Sequence, residues 1–153
     1  MGDIRRLGFA CDHAGLPLKE AVMARAASRG LEIADYGAYS ADRVDYNDYA
    51  ERAARAVVSG EVDAAVLVCG TGLGMSMTAN KVRGVRCAAV SDPYTARMAK
   101  AHNNANALAI GARVVGVDLA KMIVDEWLDA EYEPRHQPRL DKLAGLEARE
   151  RLS

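Results

Sequence analysis

The sequence predicts an α/β fold in which a five-stranded parallel sheet carries helices on both faces, and three observations predict it. Short runs of small and β-branched apolar residues alternate with stretches of helical period five times along the chain. No two runs are joined by a hairpin dipeptide, so consecutive strands are parallel and linked by crossovers. The central run, Ala64 to Val68, neither alternates nor carries a charge, as expected of a strand buried on both sides.

The first strand is Arg5 to Cys11, ending at the polar turn Asp12-His13-Ala14-Gly15. Leu18, Ala21, Val22 and Ala26 then recur at helical spacing, with Lys19, Glu20, Arg25 and Arg29 on the remaining positions and Gly30 as the stop. Leu31 to Ala34 is a short second strand. Asp35 to Asp45 is a polar loop holding Tyr36, Gly37 and Tyr39, of the kind that borders a ligand or merely crosses the surface. Tyr46, Tyr49, Ala50, Ala53 and Val57 form the apolar face of a second helix that closes near Gly60. The central strand comes next and ends at the thiol of Cys69. Gly70, Gly72 and Gly74 follow at alternate positions, leaving backbone N–H groups exposed before a helix that starts after Gly74.

Val85 to Val90 is the fourth strand, with Cys87 inside it. Asp92-Pro93 opens a helix with a side-chain cap and a proline whose missing N–H costs nothing at the first position. That helix ends at His102-Asn103-Asn104, and Ala107 to Ile110 is the fifth strand. Gly111-Ala112-Arg113 leads to a helix with Leu119, Ile123, Val124 and Trp127 on one face. Glu131 to Pro138 is broken by prolines and carries Arg135 and His136, with Arg139 just beyond. A charged terminal helix, about 138–152, has Leu140, Leu143, Ala144 and Leu146 as its apolar positions. No strand follows for it to cover, so a partner subunit is its expected seat. The whole reads as a three-layer α/β/α, Rossmann-like domain.

The 153 residues fit one domain, 1–153, long enough to bury about two-thirds of its unfolded surface. Twenty basic and twenty-one acidic residues leave a charge of -1, which provides no global field for nucleic acid. The N-terminal residues lack the apolar segment of a signal peptide, and no run approaches the roughly 18 apolar residues of a membrane span. The expectation is a cytoplasmic protein with no membrane partner. Cys11, Cys69 and Cys87 are odd in number and lack C-x-x-C spacing, against both a disulfide framework and a structural zinc site.

Ligands gather beyond the carboxyl ends of the strands in such sheets. Asp12 and His13, Cys69 to Gly74, and the turn after Ile110 project from that edge, whereas His102 and Asn103 end a helix elsewhere. Dinucleotide binding needs G-x-G-x-x-G after the first strand, where this chain has Cys11-Asp12-His13-Ala14-Gly15, and no P-loop pattern is present. His13, His102 and His136 show no ligand spacing. What the residues support without a cofactor is proton transfer on a small phosphorylated compound. Cys69, at the head of a helix whose dipole and N–H groups favour an anion, is placed to take a proton beside a carbonyl. The turn amides and the Thr71 hydroxyl are placed to hold the developing oxyanion. Arg113, Arg135 and Arg139 are candidate phosphate ligands. The competing reading is an ordinary strand-to-helix turn with a buried cysteine and solvated arginines.

Cys11-Asp12-His13-Ala14-Gly15, Asp45-Tyr46, Cys69-Gly70-Thr71-Gly72-Leu73-Gly74 with Ala79-Asn80-Lys81, His102-Asn103-Asn104, Gly111-Ala112-Arg113-Val114-Val115-Gly116 and Arg135-His136-Gln137 occur in that order. Together they resemble the ribose-5-phosphate isomerase B family, which includes galactose-6-phosphate and allose-6-phosphate isomerases. The resemblance implies a sugar-phosphate aldose–ketose isomerase that needs neither metal nor cofactor and works through a cis-enediolate. It implies Cys69 as the base between C1 and C2, Thr71 with Gly70, Gly72 and Gly74 around the enediolate, and His102 for ring opening. Asp12 and Asn103 bind sugar oxygens, His13, Arg113, Arg135 and Arg139 hold phosphate, and Tyr46 forms a wall. The thiol at 69 and Met75, where one branch carries a glutamate, are those of the cysteine branch.

Asn47 stands where the family usually has proline, and Met75-Ser76-Met77-Thr78 replaces a commoner aliphatic and alanine pattern. Both bear on the choice among sugar phosphates: ribose 5-phosphate is favoured over allose 6-phosphate, galactose 6-phosphate and erythrulose 4-phosphate. A non-catalytic sugar-phosphate-binding module is the other class of reading, and retention of Cys69 and His102 weighs against it. A homodimer is expected, with tetramers left open. Each site is expected to take Asp12, His13 and Cys69 from one subunit and His102 with Arg113, Arg135 and Arg139 from the other.

Overall fold

Every residue of β3 (Ala64–Cys69) and of β5 (Ala107–Gly111) is buried, and the sheet is built outward from this pair. The computed structural model describes residues 4–151. β1 (Arg6–Cys11) and β2 (Glu32–Asp35) extend the sheet to one side and β4 (Cys87–Ala89) closes the other, giving the order β2-β1-β3-β5-β4 with all pairs parallel. The five-stranded parallel sheet is the expected one. The chain turns one way from β1 to β2 and the other way from β3 onward. The strand order therefore reverses between β1 and β3, and a crevice opens there at their carboxyl ends.

The two faces of β3 go to two helical layers. Val66 and Val68 join Leu18 and Val22 of α1 (Leu16–Ser28), Ala96 and Ala99 of α4 (Pro93–Ala101), and Ile123, Val124 and Trp127 of α5 (Val117–Asp129). Ala65, Leu67 and Cys69 point the other way, against Ala50 and Ala53 of α2 (Tyr46–Ser59) and Met75 and Ala79 of α3 (Leu73–Ala79). Alternation of side chains along a strand produces this division. The second layer is packed largely by alanines, which draw α2 and α3 close to the strand ends where Cys69 sits. Each fully buried Leu, Val or Met stabilises the fold by about 1.5–3 kcal/mol.

Several elements differ from expectation for visible reasons. α1 buries Lys19 to 1 % exposure, although its place in the helix pattern put it on the polar face. Its ammonium bonds Asp35 at 2.6 Å and the Ala38 carbonyl at 2.8 Å, so the charge is paired where it is buried. β4 is shorter than Val85 to Val90 because it is an edge strand paired only with β5. Side chains occupy its start: Asn80 takes both the N–H and the carbonyl of Cys87, and Asn106 takes the N–H of Arg86. α3 begins one residue before Gly74. Asp92 caps α4 as expected, accepting from Thr95 N–H at 2.7 Å.

After a short 3-10 turn (Pro134–His136), α6 runs Gln137–Arg151; residue 152 of the expected span lies outside the described residues. Leu143 and Leu146 of α6 are half-exposed, and its Glu147 accepts from Gly84 N–H at 3.3 Å. Between α6 and β4 runs a cavity of about 500 Å³ bordered by Cys87, Ala88, Leu140, Leu143 and Ala144. Among the described residues no helix is long and apolar enough to cross a membrane.

Candidate active site

The crevice between β1 and β3 collects the first group of residues. β3 ends at Cys69, which is 4 % exposed, and the chain turns back on itself so that the Gly72 N–H donates to its sulfur at 3.1 Å. That turn requires φ +82 at Gly72, a conformation open to glycine and costly for other residues. The Thr71 hydroxyl accepts from Leu73 N–H at 3.3 Å. Burial pushes the Cys11 thiol up to about 11 and the Cys87 thiol up to about 12, so neither of these two offers a thiolate near neutral pH.

Beside Cys69, Asp12 is buried after β1, and its Oδ1 accepts from the N–H groups of Ala14 and Gly15, each at 3.0 Å. His13 accepts at Nδ1 from Val44 N–H at 3.2 Å, which leaves Nε2 as its second ring nitrogen. Tyr46, the first residue of α2, lays its ring against Gly74, where an added Cβ would come within 2.5 Å of Cζ. Tyr46, expected from its spacing on the apolar face of its helix, is exposed beside Gly74. Met75 is fully buried behind Cys69, and Asn47 donates to the Thr78 hydroxyl at 3.0 Å.

Arg113 also belongs to this edge. Its N–H donates to the Gly70 carbonyl at 3.0 Å, and its guanidinium lies over Gly70, with Nη1 3.4 Å from where a Cβ would be. This corrects the expectation that grouped Arg113 with His102, because β5 runs parallel to β3 and delivers both ends to the same side.

The second group sits at the opposite edge. α4 runs back across the sheet, and His102 caps its end before β5 begins. The six residues of β3 separate the two edges by roughly 17 Å. Glu133 N–H donates to the Ala101 carbonyl at 2.9 Å and brings the proline-broken segment alongside. His102 and His136 stack with ring centroids 4.2 Å apart. Arg135 bonds Glu133 at 2.7 Å and holds its carboxyl below the usual range. His136 is held below its ordinary value, by burial first and then by the positive Arg135, His102 and Arg139. Asn103 and Arg139 are exposed beside this group, and of the candidate catalytic and substrate-binding residues only Asn103 borders the cavity along β4. Glu133 and His136 were assigned no role from sequence; the cluster with His102 is also a candidate metal-ligand set that linear spacing gave no sign of. The two histidines lie thirty-four residues apart, so only folding brings them together.

A family model described as ribose/galactose isomerase matches residues 7–143. This chain belongs to the ribose/galactose isomerase family. Among its relatives in that family is ribose-5-phosphate isomerase B of Escherichia coli (strain K12), 48 % identical over 147 residues that cover 95 % of this chain and 99 % of the relative. The solved structure of Clostridium thermocellum ribose-5-phosphate isomerase B matches with TM-score 0.92 and 46 % identity, covering 94 % of this chain and 98 % of that one. A D-erythrulose-4-phosphate isomerase of Pectobacterium atrosepticum is 37 % identical, with 95 % of this chain and 97 % of the relative covered. The expected resemblance and the expected three-layer fold are both borne out by membership of this isomerase family.

Proposed function

We propose that this chain interconverts ribose 5-phosphate and ribulose 5-phosphate as a single sugar-phosphate isomerase domain, its site completed by a second copy of itself. The observation that carries the chemistry is Cys69 at the switch-point crevice, with an N–H at its sulfur and the Arg113 guanidinium over the adjoining turn. His102 opens the ring. The Cys69 thiolate then takes the C2 proton, and the negative charge passes to the former carbonyl oxygen, where the Gly70–Gly74 amides and the Thr71 hydroxyl stabilise the cis-enediolate. Return of the proton to C1, with transfer of the O2 proton to the anionic O1, gives the ketose. Asp12 and Asn103 bind the sugar oxygens, Tyr46 walls the crevice, and His13, Arg113, Arg135 and Arg139 hold the phosphate.

The second copy is called for by the separation of the two edges. His102, Asn103, Arg135 and Arg139 lie too far from Cys69 of their own chain to touch one small sugar, whereas a two-fold dimer brings one edge of each chain to the opposite edge of the other. The half-exposed leucines of α6 suit a seat on that neighbour.

A relative that acts on a four-carbon sugar phosphate makes substrate the point to test. Ribose, allose, galactose and erythrulose phosphates ranked by kcat/KM should place ribose 5-phosphate first. A tenfold lead for erythrulose 4-phosphate would replace the substrate, and turnover of none would end the isomerase reading.

A further inference from the structure

The amino-edge cluster carries chemistry that ring opening leaves unused. The Glu133 carboxylate stands between two imidazoles, with Oε1 4.0 Å from His102 Nε2 and Oε2 3.6 Å from His136 Nε2. One ligand atom from each of the three residues lies within 4.8 Å of the others. His136 is 6 % exposed, and its buried Nε2 has no hydrogen-bond partner among the described residues. A buried ring nitrogen without a partner is costly, and here it faces a carboxylate and a second imidazole, an arrangement that a cation satisfies.

We propose that His102, Glu133 and His136 bind a divalent transition-metal ion of the zinc class, and that its binding withdraws His102 from the sugar ring and inhibits the enzyme. The inhibitory half rests on the reading of His102 as the ring-opening group. Two imidazoles and one carboxylate are a set that zinc accepts at about 2.0–2.2 Å, with a fourth position left to water or substrate. Tetrahedral bonds of that length hold ligand atoms about 3.4 Å apart. The 3.6 and 4.0 Å contacts are made by different Glu133 oxygens, so with one atom taken from each residue the set, within 4.8 Å, has to close by up to about 1.4 Å, within reach of the part-exposed His102 and Glu133 side chains. Magnesium and calcium are poorly matched, since they take mostly oxygen and higher coordination. Arg135, 2.7 Å from Oε2, opposes the ion and must swing aside. The site is thus one that fills as free metal rises, and not a permanent structural centre.

Calorimetric titration of the full chain with zinc tests the site, with circular dichroism to check each variant's fold. Cys69→Ala is run alongside because thiols are competing ligands. One ion per chain is expected. His136→Gln and Glu133→Gln should each weaken binding by at least about tenfold, and Cys69→Ala should leave it unchanged. Because Glu133 is part-exposed, its variant keeps the test decisive if His136→Gln does not fold. Absence of binding, or binding lost in Cys69→Ala and kept in Glu133→Gln, would overturn the site. Added zinc should slow turnover of ribose 5-phosphate, and Glu133→Gln, compared with its own zinc-free rate, should need at least about tenfold more. Binding without inhibition would overturn the inhibitory half. If no sugar phosphate is turned over at all, the isomerase reading fails while the calorimetry still decides the metal site.

Discussion

The carboxyl and amino edges of the sheet hold their functional groups by different means. At the carboxyl edge the main chain does the holding: Gly72 N–H on the Cys69 sulfur, Ala14 and Gly15 N–H on Asp12, Val44 N–H on His13. At the amino edge side chains hold side chains: His102 on His136, and Glu133 on Arg135. Backbone turns hold such groups in place more tightly than side-chain contacts do, as a group that has to meet one reacting atom requires. Long charged side chains at element ends adjust more readily. The difference teaches that one chain carries a half held by its backbone and a half held by side chains, at opposite ends of the sheet.

The sharpest way to break this contrast is at Cys69. Cys69→Ala should lower turnover by about 10²- to 10⁴-fold while substrate still binds and the melting temperature holds, read by steady-state kinetics and a thermal melt. Exchange of the C2 proton with solvent at the parental rate would place the base elsewhere, with Asp12 the first alternative.

Mixing the halves is the next test. Cys69→Ala and Arg139→Ala subunits, each nearly inactive alone, should form hybrids in which one site carries both lesions and the other none. Such hybrids should recover up to about half the parental activity, with allowance for non-additive catalytic effects. Subunit exchange is confirmed first, by mass. Confirmed hybrids without recovery would put both residues in the same site from the same chain.

The rigidity of the carboxyl edge is tested at Gly15. An added Cβ there would press into the Val68 backbone, which cannot yield as a flexible side chain does. Gly15→Ala should cost about 1–3 kcal/mol in urea unfolding and raise KM by displacing Asp12 and His13. Unchanged stability would show that this turn is as adjustable as the other edge.

The smallest effect is expected at the amino edge, where Asp63 accepts from Arg5 and Arg6 N–H, each at 2.9 Å, before β3 begins. These bonds hold its carboxyl below the ordinary 3.8. Its contribution is therefore complete above pH 3.8 and is lost as pH falls through the depressed folded value. Asp63→Asn should cost about 1 kcal/mol at neutral pH after screening of this exposed group, and the difference should vanish on acidification. A gap that persisted at low pH would mean that charge is not the cause.

Much of this architecture was legible along the chain because burial imposes short periods on it. A short unbroken apolar run bounded by turn residues reads as a covered strand, a proline after a capping aspartate opens a helix here, and Gly60 and Gly72 mark turns with positive φ; these signals lie within a few residues of each other. The crevice and Cys69 within it followed from that local order together with the rule for parallel sheets. Contacts between residues far apart left no such trace. The burial of Lys19 depends on Asp35 and on a loop carbonyl. The parallel register of β5 on β3 puts the Arg113 guanidinium over Gly70, in the opposite half from His102, with which it is grouped along the sequence. His102, Glu133 and His136 come together only because α4 recrosses the sheet and Ala101 anchors the segment that follows α5. Local sequence sets which elements form and what each can carry, because secondary structure answers to near neighbours; which side chains then meet is decided by packing in three dimensions.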